Sequence, residues 1–482
     1  MSRSSAFAHV TRLVAGATVS LGLALSPWNP SVNLQAQQQS RKQALLAQPN
    51  RAADAPEVLR VGRPLARDAA RLAYVPGHIV VKFAEGVSPQ AMSTMAADIG
   101  GQAVRGVHHA DFVYVHIPKD ADPVAAASEM SRKPGVVYAE PDGRVFTMFR
   151  PNDPLYRYQW NLQKIDMERT WDVNRGAKNA LIVAVIDSGV AFQDKGAFAQ
   201  APELKGVPFV SPYDFVWDDT EPFDFDGHGT HIAGTIAQAT NNDEGTAGMS
   251  FNVSIMPIKA IFTEWDAAFD APFPYGASTV ARAIRYAADN GAKVINLSIG
   301  SFFANTASRD AMEYAIGKGA FLAIAAGNDG DAGNPPTYPA VYAKDMDGAM
   351  AVAAVDFNLA RSYYSNVNDY VEIAAPGGDN NQDLNNDEYA DGILQQTFDP
   401  DAASAGVFNQ FIYAFEQGTS MATAHVSGLA ALLMDQGITT PKAVEDAIKA
   451  FATDTGAPGR DNETGFGVIN PRRTIRGLGL RR

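Results

Sequence analysis

The chain contains no cysteine. That absence excludes a disulfide scaffold, thiolate metal ligands, a cysteine nucleophile and a lipid anchor on sulfur. Positive charge is also short: 39 Lys and Arg face 53 Asp and Glu, a formal net charge of −14. A surface that acidic repels phosphate backbones, so nucleic acid is not an expected partner, whereas cations are. Long apolar runs are missing too. The N-terminal run Leu13–Leu25 is too short to span a bilayer as a helix. What the chain does have is 482 residues, 46% of them hydrophobic, enough for about two or three domains and a large core.

Arg3 and Arg12 flank the start of the apolar run, Pro27 and Pro30 end it, and Leu34-Gln35-Ala36 supplies a small-residue cut site. Residues 1–36 therefore read as an export signal, and the processed product is expected outside the cytoplasm, extracellular or periplasmic, with no membrane attachment. Residues 37–73 are rich in Gln, Ala, Arg and Pro. They carry too little apolar periodicity to offset the cost of ordering, which predicts a flexible linker.

Residues 74–148 alternate short strand and helix patterns: strands at 78–83, 112–117, 136–140 and 143–147, helices at 89–99 and 123–131. The order β-α-β-β-α-β predicts a small α+β domain of the split βαβ type. From 149 to 482 the pattern changes. LIVAVI (181–186), 254–258, KVINL (293–297), FLAIA (321–325) and 349–355 are continuous apolar runs, the mark of strands covered on both faces of a parallel sheet. Amphipathic helices lie between them. One is expected to be capped by Ser278 and stopped by Gly291. The prediction is a doubly wound α/β domain. The stretches 262–275 and 379–412 read as insertions. Asp379–Asp391 within the second reads as a solvated acidic loop, since it lacks the Gly and Glu of an EF-hand.

In such sheets, function gathers at the carboxyl ends of strands. Asp187 directly follows LIVAVI. Of eight His, only His228, His231 and His425 lie in the α/β region. His228 sits in DGHGTHIAGTI at a helix start, and His231 reads as a packed core residue. Ser420, in GTSMA, opens a long helix whose N-terminus favours a developing oxyanion. Asn328, after FLAIAAG, can donate to the same charge. A serine hydroxyl needs a base within reach, and that base an orienting carboxylate. The chain order Asp187, His228, Ser420 fits neither an α/β-hydrolase nor a chymotrypsin arrangement. Two other classes stay open at this point: a zinc hydrolase using His228 and His231, although H-E-x-x-H is missing, and a silent binding protein on a protease scaffold.

AVIDSGV, DGHGTHIAGT, AAGND and GTSMATAHVSG together resemble the four signature blocks of the subtilisin-like serine proteases, in that family's order. The resemblance implies a serine endopeptidase with Ser420 as nucleophile, His228 as base and then acid, Asp187 as orienting acid, and Asn328 in the oxyanion hole. It implies a peptide groove at Ser298, Ile299, Gly300, Ala326 and Gly327, with a preference for apolar or aromatic residues before the cut. It also implies structural calcium held by Asp153, Glu203, Ala239, Asn242, Glu244 and Thr246. Asp214 and Asp219 resemble part of a second calcium site, with Trp217 where a carboxylate is expected. Residues 74–148 resemble the propeptide inhibitor domain of these proteases, so the expected partners are protein or peptide substrates and the chain's own propeptide, self-cleaved near 146–149, on an otherwise monomeric enzyme. One departure stands out: Ala424 replaces the proline usual before the His of the last block.

Overall fold

The computed structural model describes residues 42, 46, 74–104, 109–119, 121–143, 149–176, 181–272 and 276–479. The expected export signal lies outside them. So does most of the expected linker, of which Lys42 and Leu46 are described.

The first unit joins strands β1 (Tyr74–Phe83), β2 (Gln102–Val104), β3 (Val113–His116) and β4 (Val136–Gly143) with helices α1 (Pro89–Asp98) and α2 (Pro123–Ser131). The helix starts are written in the sequence. Ser88 accepts from the Ala91 amide and Asp122 from the Val124 amide, and each cap is followed by Pro, whose fixed φ suits the first helical position. The sheet order is β2-β3-β1-β4, antiparallel throughout, which is the expected split βαβ arrangement. Its core is small: Ile79, Val81, Ala96, Val115, Ile117, Ala127 and Met130. A single strand runs to Gly143 where two were expected, and the second, 143–147, falls almost wholly outside the described residues.

The second unit is a seven-stranded sheet in the order β11-β10-β9-β8-β5-β7-β6. Its strands are β5 (Ile182–Asp187), β6 (Tyr213–Asp214), β7 (Ser254–Lys259), β8 (Val294–Leu297), β9 (Phe321–Ala325), β10 (Ala349–Val355) and β11 (Val371–Pro376). Every pairing is parallel. β7 to β11 are buried along their whole length, and β5 is buried but for its half-buried first residue, Ile182. That is why they read as unbroken apolar runs and not as alternating ones. The longer helices are α3 (His228–Ala237), α4 (Ala277–Asp289), α5 (Thr306–Gly317), α6 (Thr419–Asp435), α7 (Pro441–Phe451) and α8 (Pro471–Gly479). α6 packs on β8, β9, β10 and β11 and on α3.

One local expectation needs correction. α4 begins at Ala277 after Gly276, which makes no side-chain cap, so Ser278 lies inside the first turn. The start follows the buried face Thr279, Ala281, Ala283, Ile284, Ala287 and Ala288, which outweighs the preference of one Ser. Residues 379–391 hold no helix or strand, as expected of a loop, and the insertion 379–412 continues into regular structure. It supplies β12 (Ile393–Phe398), which pairs antiparallel with β13 (Phe411–Glu416) into a hairpin that packs on α3.

Candidate active site

β5 is central, and the chain leaves it toward β6 and β7 on one side and β8 to β11 on the other. That reversal opens a crevice at the carboxyl ends. Asp187 ends β5, Ser298 follows β8, and Asn328 follows β9 by three residues. Three of the residues singled out by sequence thus reach one rim because parallel strands all end on the same side.

Asp187 is fully buried. Its Oδ1 accepts from the Ser188 amide and lies 2.7 Å from His228 Nδ1. Buried Oδ2 has no hydrogen-bond partner among the described residues. Burial disfavours the His228 imidazolium, but the charge and hydrogen bond of Asp187, joined by Glu416 and Asp226, outweigh it and raise the pKa above the ordinary histidine value. The ring is 26% exposed, so solvent screens part of that shift. The turn before His228 is built by Asp224. Its Oδ1 accepts from the Asp226 and Gly227 amides and the Ser188 hydroxyl, and its Oδ2 from the Thr230 amide and hydroxyl. Thr397 of β12 donates to the Gly227 carbonyl, so the inserted hairpin clamps the same turn.

His231 lies one turn further along α3 and is fully buried. Its Nε2 donates to the Ile393 carbonyl at 3.0 Å, so it faces the hairpin and does not join His228 as a ligand pair. Burial holds its pKa down. His425 is also neutral, its pKa lowered to about 4 by burial. It donates from Nδ1 to the Met421 carbonyl and accepts at Nε2 from Asn161.

Ser420 sits in the first turn of α6 and is nearly buried. Its hydroxyl donates to the Ser298 carbonyl at 3.3 Å and not to His228. Engagement of the imidazole therefore requires the side chain to rotate, a looseness ordinary in unliganded sites. The helix start is pinned by a buried polar chain: Ser427 donates to Asn296 Oδ1, Asn296 Nδ2 to Ser298 Oγ, and Ser298 Oγ to the Ser420 carbonyl, each at 2.9 Å. Asn328 Oδ1 accepts from both the amide and the hydroxyl of Thr419, each at 2.8 Å. The amide is thereby oriented, and Nδ2 becomes the available donor. A Cβ on Gly418 would come 3.4 Å from that Nδ2 and 3.6 Å from the Ser420 amide nitrogen, so the glycine keeps the space between two donors open. Ala424 is buried in an unbroken helix. Without proline, α6 simply continues.

A cavity of about 180 Å³ adjoins Ser420, lined by Ser298, Ile299, Gly300, Ala325, Gly327, Asn328 and Thr337, with Asp329 as its one charged wall. A second, of about 390 Å³, runs on along Ile299, Gly300, Phe302, Val280, Phe262 and Tyr338. Gly327 has φ +114°, and a Cβ there would meet Thr337 Oγ1 at 2.3 Å; only glycine fits. Ala326, expected in the groove, turns away. Its amide donates to the Val352 carbonyl and its own carbonyl accepts from Tyr370, while Ala325 lines the cavity in its place.

The expected calcium residues meet in the loop 238–248. Asp153 and Glu203 are both buried, and burial pushes their pKa values up to about 6 and about 7. Asp153 accepts from the Asn241 amide, Asn242 Oδ1 from the Glu244 amide, and Glu203 from Tyr413 Oη at 2.7 Å and from the Thr246 amide. The amide of Ala239 donates to the Glu203 carbonyl. A Cβ at Gly245 would strike both Glu203 Oε1 and Tyr413 Oη at 2.2 Å. Neither carboxylate has a cationic side-chain partner among the described residues. An all-oxygen set around two buried, uncompensated carboxylates suits a hard cation. No three His, Asp or Glu side chains among the described residues form a ready-made metal cage, so carbonyl and amide oxygens would have to complete any such shell.

Sequence reasoning missed Asn296, Ser427, Asp224 and Glu416. Asp224 alone had a local signal, its spacing to Gly227 and Thr230. The others act across 120 residues or more, or through the insertion.

Residues 178–467 match the family described as Subtilase family, and residues 63–142 match the Fervidolysin N-terminal prodomain. A thermophilic serine proteinase of Bacillus sp. (strain AK1) is 34% identical over 76% of this chain and 79% of its own length. Thermitase of Thermoactinomyces vulgaris is 35% identical over 60% of this chain and 87% of its own. Among solved structures, a protease of Pseudoalteromonas arctica is similar with a TM-score of 0.55 and 26% identity, covering 68% of this chain and 99% of its own. Fervidolysin of Fervidobacterium pennivorans has the same fold at TM-score 0.54 and 24% identity, over 84% of this chain and 61% of its own. The chain belongs to the subtilase family of serine proteases and carries an N-terminal prodomain of the fervidolysin type.

Proposed function

We propose that the chain is a secreted endopeptidase, made as a self-processing precursor, in which Asp187, His228 and Ser420 form the catalytic triad. The observation that carries this reading is the buried Asp187 carboxylate 2.7 Å from His228 Nδ1, beside the helix start that holds Ser420. Asp187 fixes the tautomer with Nδ1 protonated, which leaves Nε2 as the base. Ser420 Oγ attacks the peptide carbonyl as its proton passes to Nε2. The Asn328 Nδ2 and the Ser420 amide donate to the oxyanion. The imidazolium then gives its proton to the leaving amine, and water, deprotonated by the same Nε2, hydrolyses the acyl-enzyme.

The groove is formed by Ser298, Ile299 and Gly300 on one side and by Gly327 on the other, offering backbone groups to an extended peptide. Its walls are mostly small or apolar, which favours an apolar or aromatic residue before the cut. Self-cleavage falls near 146–149. Phe149 packs edge-on against Trp171, with ring centroids 5.9 Å apart, which suits the start of the catalytic unit. Asp153, Glu203, Asn242 and the carbonyls of Ala239, Glu244 and Thr246 would hold a calcium ion, which neutralises the two buried carboxylates.

The test is Ser420→Ala in the full chain. It should accumulate as an intact precursor without hydrolysis of casein; normal processing and activity would refute the assignment. A fluorophosphonate should label wild type at Ser420 and nowhere in the variant.

A further inference from the structure

Lys42 lies upstream of the small sheet, yet its ammonium is buried against the catalytic domain, the side chain 3% exposed. It donates to Asp214 Oδ2 at 2.8 Å, to both oxygens of Asp219 at 3.2 and 3.1 Å, and to the Glu221 carbonyl at 2.9 Å. It also stands 5.4 Å from the centre of the Trp217 ring. Leu46, one helical turn later, packs on the large core. Lys42 and Leu46 thus make one charged and one apolar contact with the catalytic domain.

The receiving surface is built for a cation. Asp214 is fully buried, and its Oδ1 is occupied by the Val216 and Trp217 amides. Oδ2 is bonded to Lys42 and, among the described residues, to nothing else. The other charges that bear on this pair are Lys259 toward Asp214, and Lys195 and Asp218 toward Asp219. Lys259 is itself committed to Asp266 at 2.9 Å and to the Ser188 carbonyl, and Lys195 is paired with Glu221. Withdrawal of Lys42 therefore strands a buried carboxylate, the case in which breaking an ion pair is strongly unfavourable.

We propose that Lys42 and Leu46 form a second latch of the prosegment, separate from the small antiparallel sheet, which keeps the cleaved prosegment on the catalytic domain. The proposal rests on the self-processing reading above. The latch predicts two separable events: cutting of the chain near 146–149, which Lys42 does not touch, and release of the prosegment, which it limits.

Both events are measured on the full-length chain and on Lys42→Met and Leu46→Asp. Cleavage is followed by denaturing gel, and release by size-exclusion chromatography together with onset of activity. Cleavage should proceed at the wild-type rate in all three. Release should be about tenfold faster or more in either variant. Equal release rates in all three chains would overturn the latch. A wild-type chain that is never cut would instead overturn self-processing. In that event the latch is read by hydrogen exchange at residues 214–221 of the uncut Ser420→Ala chain, with and without Lys42→Met. Faster exchange in the double variant supports the latch, and unchanged exchange refutes it.

Discussion

Two regions of the catalytic domain bury carboxylates, and they solve the cost differently. At the carboxyl end of β5, Asp187 is matched by the imidazole of His228. Against the loop 238–248, Asp153 and Glu203 have amide and hydroxyl donors but no cationic side chain among the described residues. The first carboxylate is balanced by a group that can give and take a proton, so the balance shifts during a reaction. The second pair has no such partner among the described residues, and in the proposed reading a cation from solution balances it. In the proposed reading, the first region serves turnover and the second serves stability.

Several experiments can break that contrast. The largest effect is expected on turnover at the first region: His228→Ala or Ser420→Ala should each lower kcat by about 10⁶, and the double variant by hardly more, as in subtilisin, where triad members fail as a unit. Additive losses would deny that the two residues act together. Asn328→Leu should cost about 10²–10³ in kcat with KM little changed, the range known for a lost oxyanion donor in subtilisin. A rise in KM alone would move Asn328 out of the oxyanion site.

The second region should answer in stability instead. Chelation should lower Tm by several degrees while kcat at moderate temperature stays near normal; calcium at about 100 times its Kd contributes roughly 2.7 kcal/mol. Asp153→Asn should remove most of that response. A chelator effect that survives the substitution would mean that the ion sits elsewhere.

Because burial raises the folded-state pKa values of Asp153 and Glu203 to about 6 and about 7, the folded metal-free protein holds protons that the unfolded chain has released. Its stability should fall as pH rises from about 4 to about 7. Calcium should flatten that fall, and its stabilising effect should be greatest above pH 7. Thermal melts across that range, with and without calcium, provide the check.

The smallest effect concerns Glu416. In the proposed mechanism His228 must be neutral, and its raised pKa places the acid limb of kcat/KM above the ordinary histidine value of about 6.5. Glu416→Gln should lower that limb by a few tenths of a unit and leave maximal activity intact. An unmoved limb would remove Glu416 from the charges that set the base.

The proposed catalytic groups stood out in the sequence because each lies in a short block with its own local signature: a strand end, a glycine-flanked His, a helix-opening Ser. The parallel sheet was legible because burial on both faces removes polar residues from its strands. What stayed hidden acts at a distance. Nothing near Glu416 marks it as a charge felt by His228. Nothing in ILQQTF (393–398) announces a hairpin whose Thr397 holds the turn before that histidine. Ala326 was misjudged because neighbouring positions at a strand end face opposite ways, and a motif does not say which faces the cavity. Lys42 read as linker because its partners lie more than 170 positions away.

The sequence by itself determined the class of sheet and the split βαβ unit and singled out the candidate reacting groups, since periodicity, capping and short motifs are local properties of the chain. Only the tertiary structure decided which buried charges are balanced and by what. Burial and counter-charge depend on residues that folding brings within a few ångströms, across separations no local pattern encodes.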